Sequence, residues 1–524
     1  MANPTPHIRP HGNRIRGANL PRTSPLFEGP FGRIFRALPA ADFGDNDQQS
    51  LAALNALATK MIAKRDPADP KDGPDPEESG IPAAYTYLGQ FIDHDLTFDP
   101  ASSLQRQNDP EALVDFRTPR FDLDNVYGRG PDDQPYMYAD GRTFNLGDPL
   151  HGAAANPRAR DLPRSELREG ARKTKARAII GDPRNDENTI VSQLQGLFHR
   201  FHNKVALDHP KWDFVQVQRE VRFHYQWMLI NDFLPKVISP KVLDHVLPHL
   251  KKKSNIVKDP PCLELYHPKE DLFMPLEFSA AAYRFGHSMV RPGYRLNENV
   301  GPLPIVDFNP KKPSLTGFRP IANNHAIDWN LFADLEPRDP DNIRRTQLAY
   351  KIDTSLVDPL GSLPTSIAVN PKGLAQRNLE RGWRMRLPSA QNVARAMGLK
   401  PLADKDILIG KFTGEPADTK SLIPITSISS AFADNCPLWT YVLAETIETV
   451  VALKTTQGVK KIKTRKLGPV GGRIVAETFV GILLGDSSSY LSQNPLWVPS
   501  TKRFGLRELI SFALQDKGIL AMAA

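Results

Sequence analysis

The ten residues Gln90-Phe91-Ile92-Asp93-His94-Asp95-Leu96-Thr97-Phe98-Asp99 place an imidazole between two carboxylates, with an amide one turn earlier. On a helix, Gln90, Asp93 and His94 share one face and Asp95 points away from it. Imidazole titrates near working pH, so His94 suits a proton that must be taken up and returned. Leu88, Phe91, Ile92 and Leu96 surround the group. The polar face is therefore expected to enter an enclosed site, where a charge without a partner is costly. A solvated acidic helix end is the plain alternative for this window alone.

Three further segments carry compatible chemistry. Gly181-Asp182-Pro183-Arg184-Asn185-Asp186-Glu187 leads into Leu197-Phe198-His199-Arg200-Phe201-His202-Asn203. Phe278-Ser279-Ala280-Ala281-Ala282-Tyr283-Arg284-Phe285-Gly286-His287 and Arg377-Asn378-Leu379-Glu380-Arg381-Gly382 follow. In this order the four segments resemble the animal-type haem peroxidase superfamily (the peroxidase-cyclooxygenase superfamily), the group of myeloperoxidase and lactoperoxidase. The shorter bacterial branch is the nearest match, and the resemblance runs from Leu51 to Pro499.

The resemblance implies a mainly α fold, one large helical domain enclosing haem b between distal and proximal helices, with few short strands. His94 corresponds to the distal base, Arg184 to its partner, and Gln90 to a residue lining the place of a halide or water. His287 corresponds to the proximal iron ligand, and Asn378 to the acceptor of a hydrogen bond from its outer nitrogen. Asp93 and Glu187 match carboxylates that become ester-linked to the haem. Arg381 matches an arginine near a haem propionate, and Arg284 the arginine three residues before the proximal histidine. The implied reaction uses hydrogen peroxide and reaches a ferryl state that oxidises halides, pseudohalides or phenol-like donors. There the base moves a proton between the peroxide oxygens, and a guanidinium stabilises the departing one.

Asp95 has a separate expectation. Thr118-Pro119-Arg120-Phe121-Asp122-Leu123-Asp124 offers oxygens at alternate positions, and calcium takes six to eight oxygen ligands. By resemblance, Asp95, Thr118, Asp122, Asp124 and the carbonyl of Arg120 form one Ca2+ site. An Asp-rich turn before a strand is the plain reading.

The chain also departs from the family. Asn188 stands where myeloperoxidase has the methionine of its sulfonium link, so at most two covalent haem links are expected. The run Gly382-Trp383-Arg384-Met385-Arg386-Leu387-Pro388 replaces the Arg-Asp-His-Gly of many animal members, which puts the local structure there in question. Arg284 occupies the place of the radical-forming tyrosine of cyclooxygenase-like members, with Tyr283 one residue earlier. A fatty-acid dioxygenase is the rival enzyme reading, and a non-enzymatic haem-binding adhesion-type protein is a third.

The chain has 524 residues, 48 prolines and a formal net charge of +8. The prolines suggest long ordered connections between helices rather than a sheet. Positive residues are dispersed except at Lys251-Lys252-Lys253 and at Lys460, Lys461, Lys463, Arg465 and Lys466. No aromatic interleaving supports nucleic-acid binding, so those clusters read as solvated loops. Expected partners are hydrogen peroxide and small anionic or aromatic donors. Two cysteines, Cys262 and Cys436, exclude a disulfide framework and leave one bridge open. No run approaches a membrane span, and no apolar signal core follows Met1, so a cytoplasmic location is expected, with export by another route open.

Residues 1–48 read as an extended arm and 49–524 as the peroxidase domain. Helices are expected at Gln49–Arg65, Ala84–Asp95, Asn188–Leu207, Val215–Leu234, Leu276–Val290, Gly468–Leu484 and Leu506–Leu514. Ile305–Leu335 reads as loop with short elements. His199 and His202 lack a third ligand nearby and read as core, and Gly468-Pro469-Val470-Gly471-Gly472 reads as a helix entry rather than a phosphate loop. Ala280, Ala281, Ala282 and Gly286 are small enough to admit a flat cofactor beside His287.

Overall fold

The computed structural model describes residues 31–63, 75–97, 118–165, 176–268, 271–307, 312–364, 368 and 370–515. Residues 1–30 of the expected arm, Arg65, Phe98 and Asp99 lie outside them. The architecture is mainly α. Helices span Asp47–Lys60, Ala84–Leu96, Thr189–Asp208, Phe214–Met228, Leu374–Arg384, Pro469–Gly485 and Leu506–Leu514, with shorter ones between. Among the described residues strands pair only in twos, including Glu78–Pro82 with Leu348–Tyr350 and the hairpin Ile447–Thr455 with Gly458–Lys466.

Local chemistry sets the boundaries. Asn46 caps the first helix by accepting from Gln49 N at 3.0 Å, so the helix begins at Asp47. The preceding stretch is strapped to the other side of the molecule. Ile34 N and Phe35 N donate to the buried Glu277 carboxylate, each at 3.0 Å, and Arg33 Nη2 donates to Met385 O at 2.6 Å.

The Ala84–Leu96 helix packs on Thr189–Asp208 through Phe91 and Phe198, stacked with centroids 4.5 Å apart. Asn188 caps the latter helix by accepting from Ile190 N at 2.8 Å. Upstream, Asp182 caps the short turn Pro183–Asp186, with proline at its first position. The motif from Gly181 to Glu187 is thus two capped helix starts in succession.

Two expected helices are interrupted. The Val215–Leu234 expectation divides into an α-helix to Met228, a π-turn over Leu229–Phe233 and a short α-helix over Leu234–Val237. Pro235 has no N–H to give an α ladder, and a π-turn absorbs the missing bond. The Leu276–Val290 expectation divides into one α turn, Leu276–Ser279, and a 3-10 helix, Ala282–Met289, around Ala281 at φ −136 and ψ −76. Ser279 O accepts from Arg284 Nε at 2.9 Å, so a side chain takes a carbonyl an α ladder would have used.

The lysine-rich run 460–466, expected as loop, is a strand whose residues alternate outward and inward. Lys461 and Lys463 face solvent, while Lys466 Nζ donates to Pro235 O at 2.6 Å and Arg465 lies 4.1 Å over the Phe412 ring. Gly458, at φ +113, makes the turn. Cys262 and Cys436 are both free thiols, so the bridge left open by sequence is not formed. Among the described residues, no helix is long and apolar enough to cross a membrane.

Candidate active site

The Ala84–Leu96 helix and the broken segment that ends at Met289 face each other across a cavity of about 540 Å³. Gln90, Asp93, His94, Glu187 and Asn188 line one side, and Tyr283, Arg284, Gly286 and His287 the other. Phe233, delivered by the π-turn, joins Phe285, Ile305, Val306, Phe318, Leu360 and Leu374 in an apolar wall.

Both histidines have one ring nitrogen fixed by a buried amide. His94 Nδ1 lies 2.7 Å from Asn185 Oδ1, and Asn185 Nδ2 donates to Gln195 Oε1 at 2.8 Å. The amide's donor end is thus committed elsewhere, so its oxygen faces His94 and Nδ1 carries the hydrogen. Nε2 then keeps its lone pair, 3.7 Å from Glu187 Oε1. Gln195 Nε2 continues the relay to His199 Nε2 at 2.9 Å. Burial pushes His199 down to about 3, so it serves as a neutral acceptor. Gln90 Nε2 donates to the same Glu187 Oε1.

On the facing side, Asn378 differs from the expected acceptor: its Nδ2, not its oxygen, lies 2.8 Å from His287 Nδ1. Burial, and then Arg284, push His287 down to about 3, leaving a neutral ring. Arg284 Nη1 donates to Asn378 Oδ1 at 3.3 Å, and burial lowers its own pKa while Asp93 opposes that. The Leu374–Arg384 helix places Leu374, Asn378 and Arg381 on one face. Arg381 itself does not line the cavity. Tyr283 does, with its hydroxyl on Gly89 O at 3.3 Å.

The residues fit a flat iron cofactor. Opposed imidazoles flank one cavity, and a Cβ built on Gly286 meets nothing, so open space lies where a side chain would stand. Of the small residues beside His287, only Gly286 opens to this cavity; Ala280 and Ala281 line a separate small gap behind it.

Arg184 differs from expectation. Its guanidinium does not line the cavity. Nη2 donates to Asp182 Oδ2 at 2.8 Å, His94 O at 3.1 Å and Thr97 O at 2.5 Å. Asp182 is buried and needs a cation, and the last carbonyls of the Ala84–Leu96 helix accept one favourably. Arg184 therefore clamps the end of the helix that carries His94.

Asp95 is fully buried on the opposite face, and one carboxylate oxygen each from Asp95, Asp122 and Asp124 lie within 4.8 Å of one another. Thr118 Oγ1 donates to Asp122 Oδ2 at 2.7 Å. Burial, and then Asp124, push Asp122 up to about 7. Arg120 directs its side chain to Asp486 at 3.6 Å, which leaves its carbonyl as the only oxygen it could offer. The loop enters a short helix, Asp124–Tyr127, not a strand. Sequence reasoning missed Asn185, Gln195 and Asn125, whose Nδ2 donates to Phe91 O at 3.1 Å. Asn185 lay inside a quoted motif, but nothing in its spacing signalled a partner 91 residues away.

The mainly helical fold thus sets two amide-braced histidines across one cavity. Residues 103–312 match the family model for animal haem peroxidase. The match contains Arg184, Glu187 and His287; the tertiary structure brings His94, outside it, to the cavity lined by Glu187 and His287, and Asn378 to His287 Nδ1. A peroxidasin homolog of Mus musculus is 27% identical over 217 residues, 39% of this chain and 13% of that protein. Peroxinectin A of Dictyostelium discoideum is 26% identical over 231 residues, 43% of this chain and 38% of that one. The chain thus spans well under half of these relatives. Among solved structures, peroxidase A from D. discoideum superposes with a TM-score of 0.58 at 16% identity, covering 94% of each chain. Oryza sativa fatty acid alpha-dioxygenase superposes at 0.52 with 14% identity, covering 97% of this chain and 81% of that one.

Proposed function

We propose that this protein is a peroxide-dependent haem peroxidase. The observation that carries this reading is the pair His94 and His287, each braced by an amide and facing one cavity. His287 would hold the haem iron, with the Asn378 amide bracing its outer ring nitrogen and Arg284 and Gly286 beside it. Bound there, the haem supplies the iron centre at which peroxide is reduced. His94 Nε2 takes a proton from peroxide and returns it to the oxygen that leaves as water. Asn185 holds the tautomer this requires. Arg184 fixes the helix end on which His94 rides.

Asp93 and Glu187 both line the cavity, which supports ester attachment to a bound haem after turnover. Gln90, joined to Glu187, supports a small anion or water beside His94. The apolar wall supports aromatic donors as well. The Asp95, Thr118, Arg120, Asp122 and Asp124 group supports Ca2+, since a cation would offset the repulsion of one buried and two half-buried carboxylates this close.

The test is the absorption spectrum of the haem-loaded protein with peroxide, then turnover with bromide, thiocyanate and a phenol. A Soret change on adding peroxide, with donor oxidation lost in His94→Ala, is expected. Turnover unchanged in that variant refutes the base assignment. Acid-acetone extraction reads the esters: retained haem supports them, released haem removes them. Tyr283 at the cavity wall keeps a dioxygenase reading worth one assay, and oxygen uptake with palmitic acid is expected to be nil.

A further inference from the structure

Outside the cavity lining, three different donor types converge on the surface. We propose that His245, Cys262 and Glu264 form a site for a zinc-class divalent cation. One ligand atom from each lies within 4.8 Å of the others. His245 Nε2 is 3.3 Å from Glu264 Oε1, and Cys262 Sγ is 3.7 Å from the same oxygen. Tetrahedral zinc, with bonds of about 2.05 Å to nitrogen, 2.1 Å to oxygen and 2.3 Å to sulfur, requires edges of roughly 3.4 Å and 3.6 Å for these pairs. The two pairs that share Glu264 Oε1 already stand at a tetrahedron's edge lengths, with water free to take the fourth corner.

The three side chains are held independently. His245 sits on the Pro240–Val246 helix, and Cys262 N donates to the last carbonyl of that helix, Val246 O, at 3.0 Å. Glu264 N and Leu265 N both donate to Glu477 Oε2 at 2.6 Å, which ties the segment to the Pro469–Gly485 helix. The second oxygen of Glu264 accepts from Arg473 Nη2 at 2.6 Å. One carboxylate oxygen is thus fixed by a cation from outside and the other is turned to His245 and Cys262, the arrangement that orients metal-binding carboxylates. A thiol, an imidazole and a single carboxylate oxygen suit a borderline-soft ion, not calcium or magnesium. Binding would release the thiol proton and staple the Pro240–Val246 helix to the following connection.

The test uses the haem-loaded full chain, without an affinity tag, dialysed against zinc and analysed for metal. Wild type is expected to hold one zinc per chain more than either Cys262→Ser or His245→Ala, each of which loses affinity by at least about tenfold. A second reading needs no variant to fold. Cys436 is buried, so a thiol reagent reports Cys262, and zinc is expected to slow its reaction in wild type. Equal zinc content in all three proteins, or labelling of Cys262 at one rate with and without zinc, overturns the proposal.

Discussion

Asn185→Ala is the sharpest probe of the distal geometry. Asn185 Oδ1 is 2.7 Å from His94 Nδ1, and both residues are buried. Alanine leaves a buried ring N–H without its acceptor, which costs about 1–3 kcal/mol. The advantage of the Nδ1–H tautomer falls by the same amount, roughly 5- to 150-fold in its population relative to the other. Only that tautomer presents a lone pair at Nε2, so the second-order rate of the peroxide reaction should drop within that range. Stopped-flow absorption at the Soret band, with peroxide varied, measures it. Donor oxidation after the peroxide step should be little changed, because Asn185 lines no part of the cavity. A peroxide rate within twofold of wild type, in a variant that binds haem, would refute the reasoning that Asn185 sets the tautomer.

Four further outcomes follow from buried charge. Burial pushes Glu445 up to about 8, against the hydrogen bond it accepts from Gly471 N at 2.7 Å, so its contribution is full below the ordinary carboxylate range and is lost as pH rises through 8. Glu445→Gln should therefore gain about 2–3 kcal/mol on wild type between pH 5 and pH 7, read from urea midpoints; a flat difference contradicts the sign. His202 and His224, both pushed down to about 4 by burial, act the other way, and each contributes stability that is lost as pH falls below about 6.5 toward 4. Glu78 pairs with Arg291 at 2.5 Å and Arg345 at 2.7 Å in a buried cluster, so Glu78→Ala should lose about 3–5 kcal/mol by denaturant titration; a loss below about 1 kcal/mol would show the arginines resolvated. Chelation should lower the thermal midpoint and added calcium restore it, while Asp95→Asn should abolish that response; a variant that still responds places the ion elsewhere.

The sequence by itself determined the mainly helical class, the four motifs and their order, because each is local. Helical spacing put Gln90, Asp93 and His94 on one face and turned Asp95 to another, and the structure keeps that division. Capping residues such as Asn188 fixed helix starts to within a residue or two. What the tertiary structure alone decided are the pairings across the chain. The Arg184 motif is intact, yet the guanidinium turns to Asp182 and two backbone carbonyls because a buried carboxylate captures the nearest cation. The proximal segment reads as one apolar helix, but Arg284 takes the Ser279 carbonyl and the ladder breaks. The lysines of 460–466 read as loop because their inward partners, Pro235 O and the Phe412 ring, lie far away in sequence. Periodicity and caps act over a turn or two of chain; hydrogen-bond polarity and charge compensation act through space, and they aim the side chains.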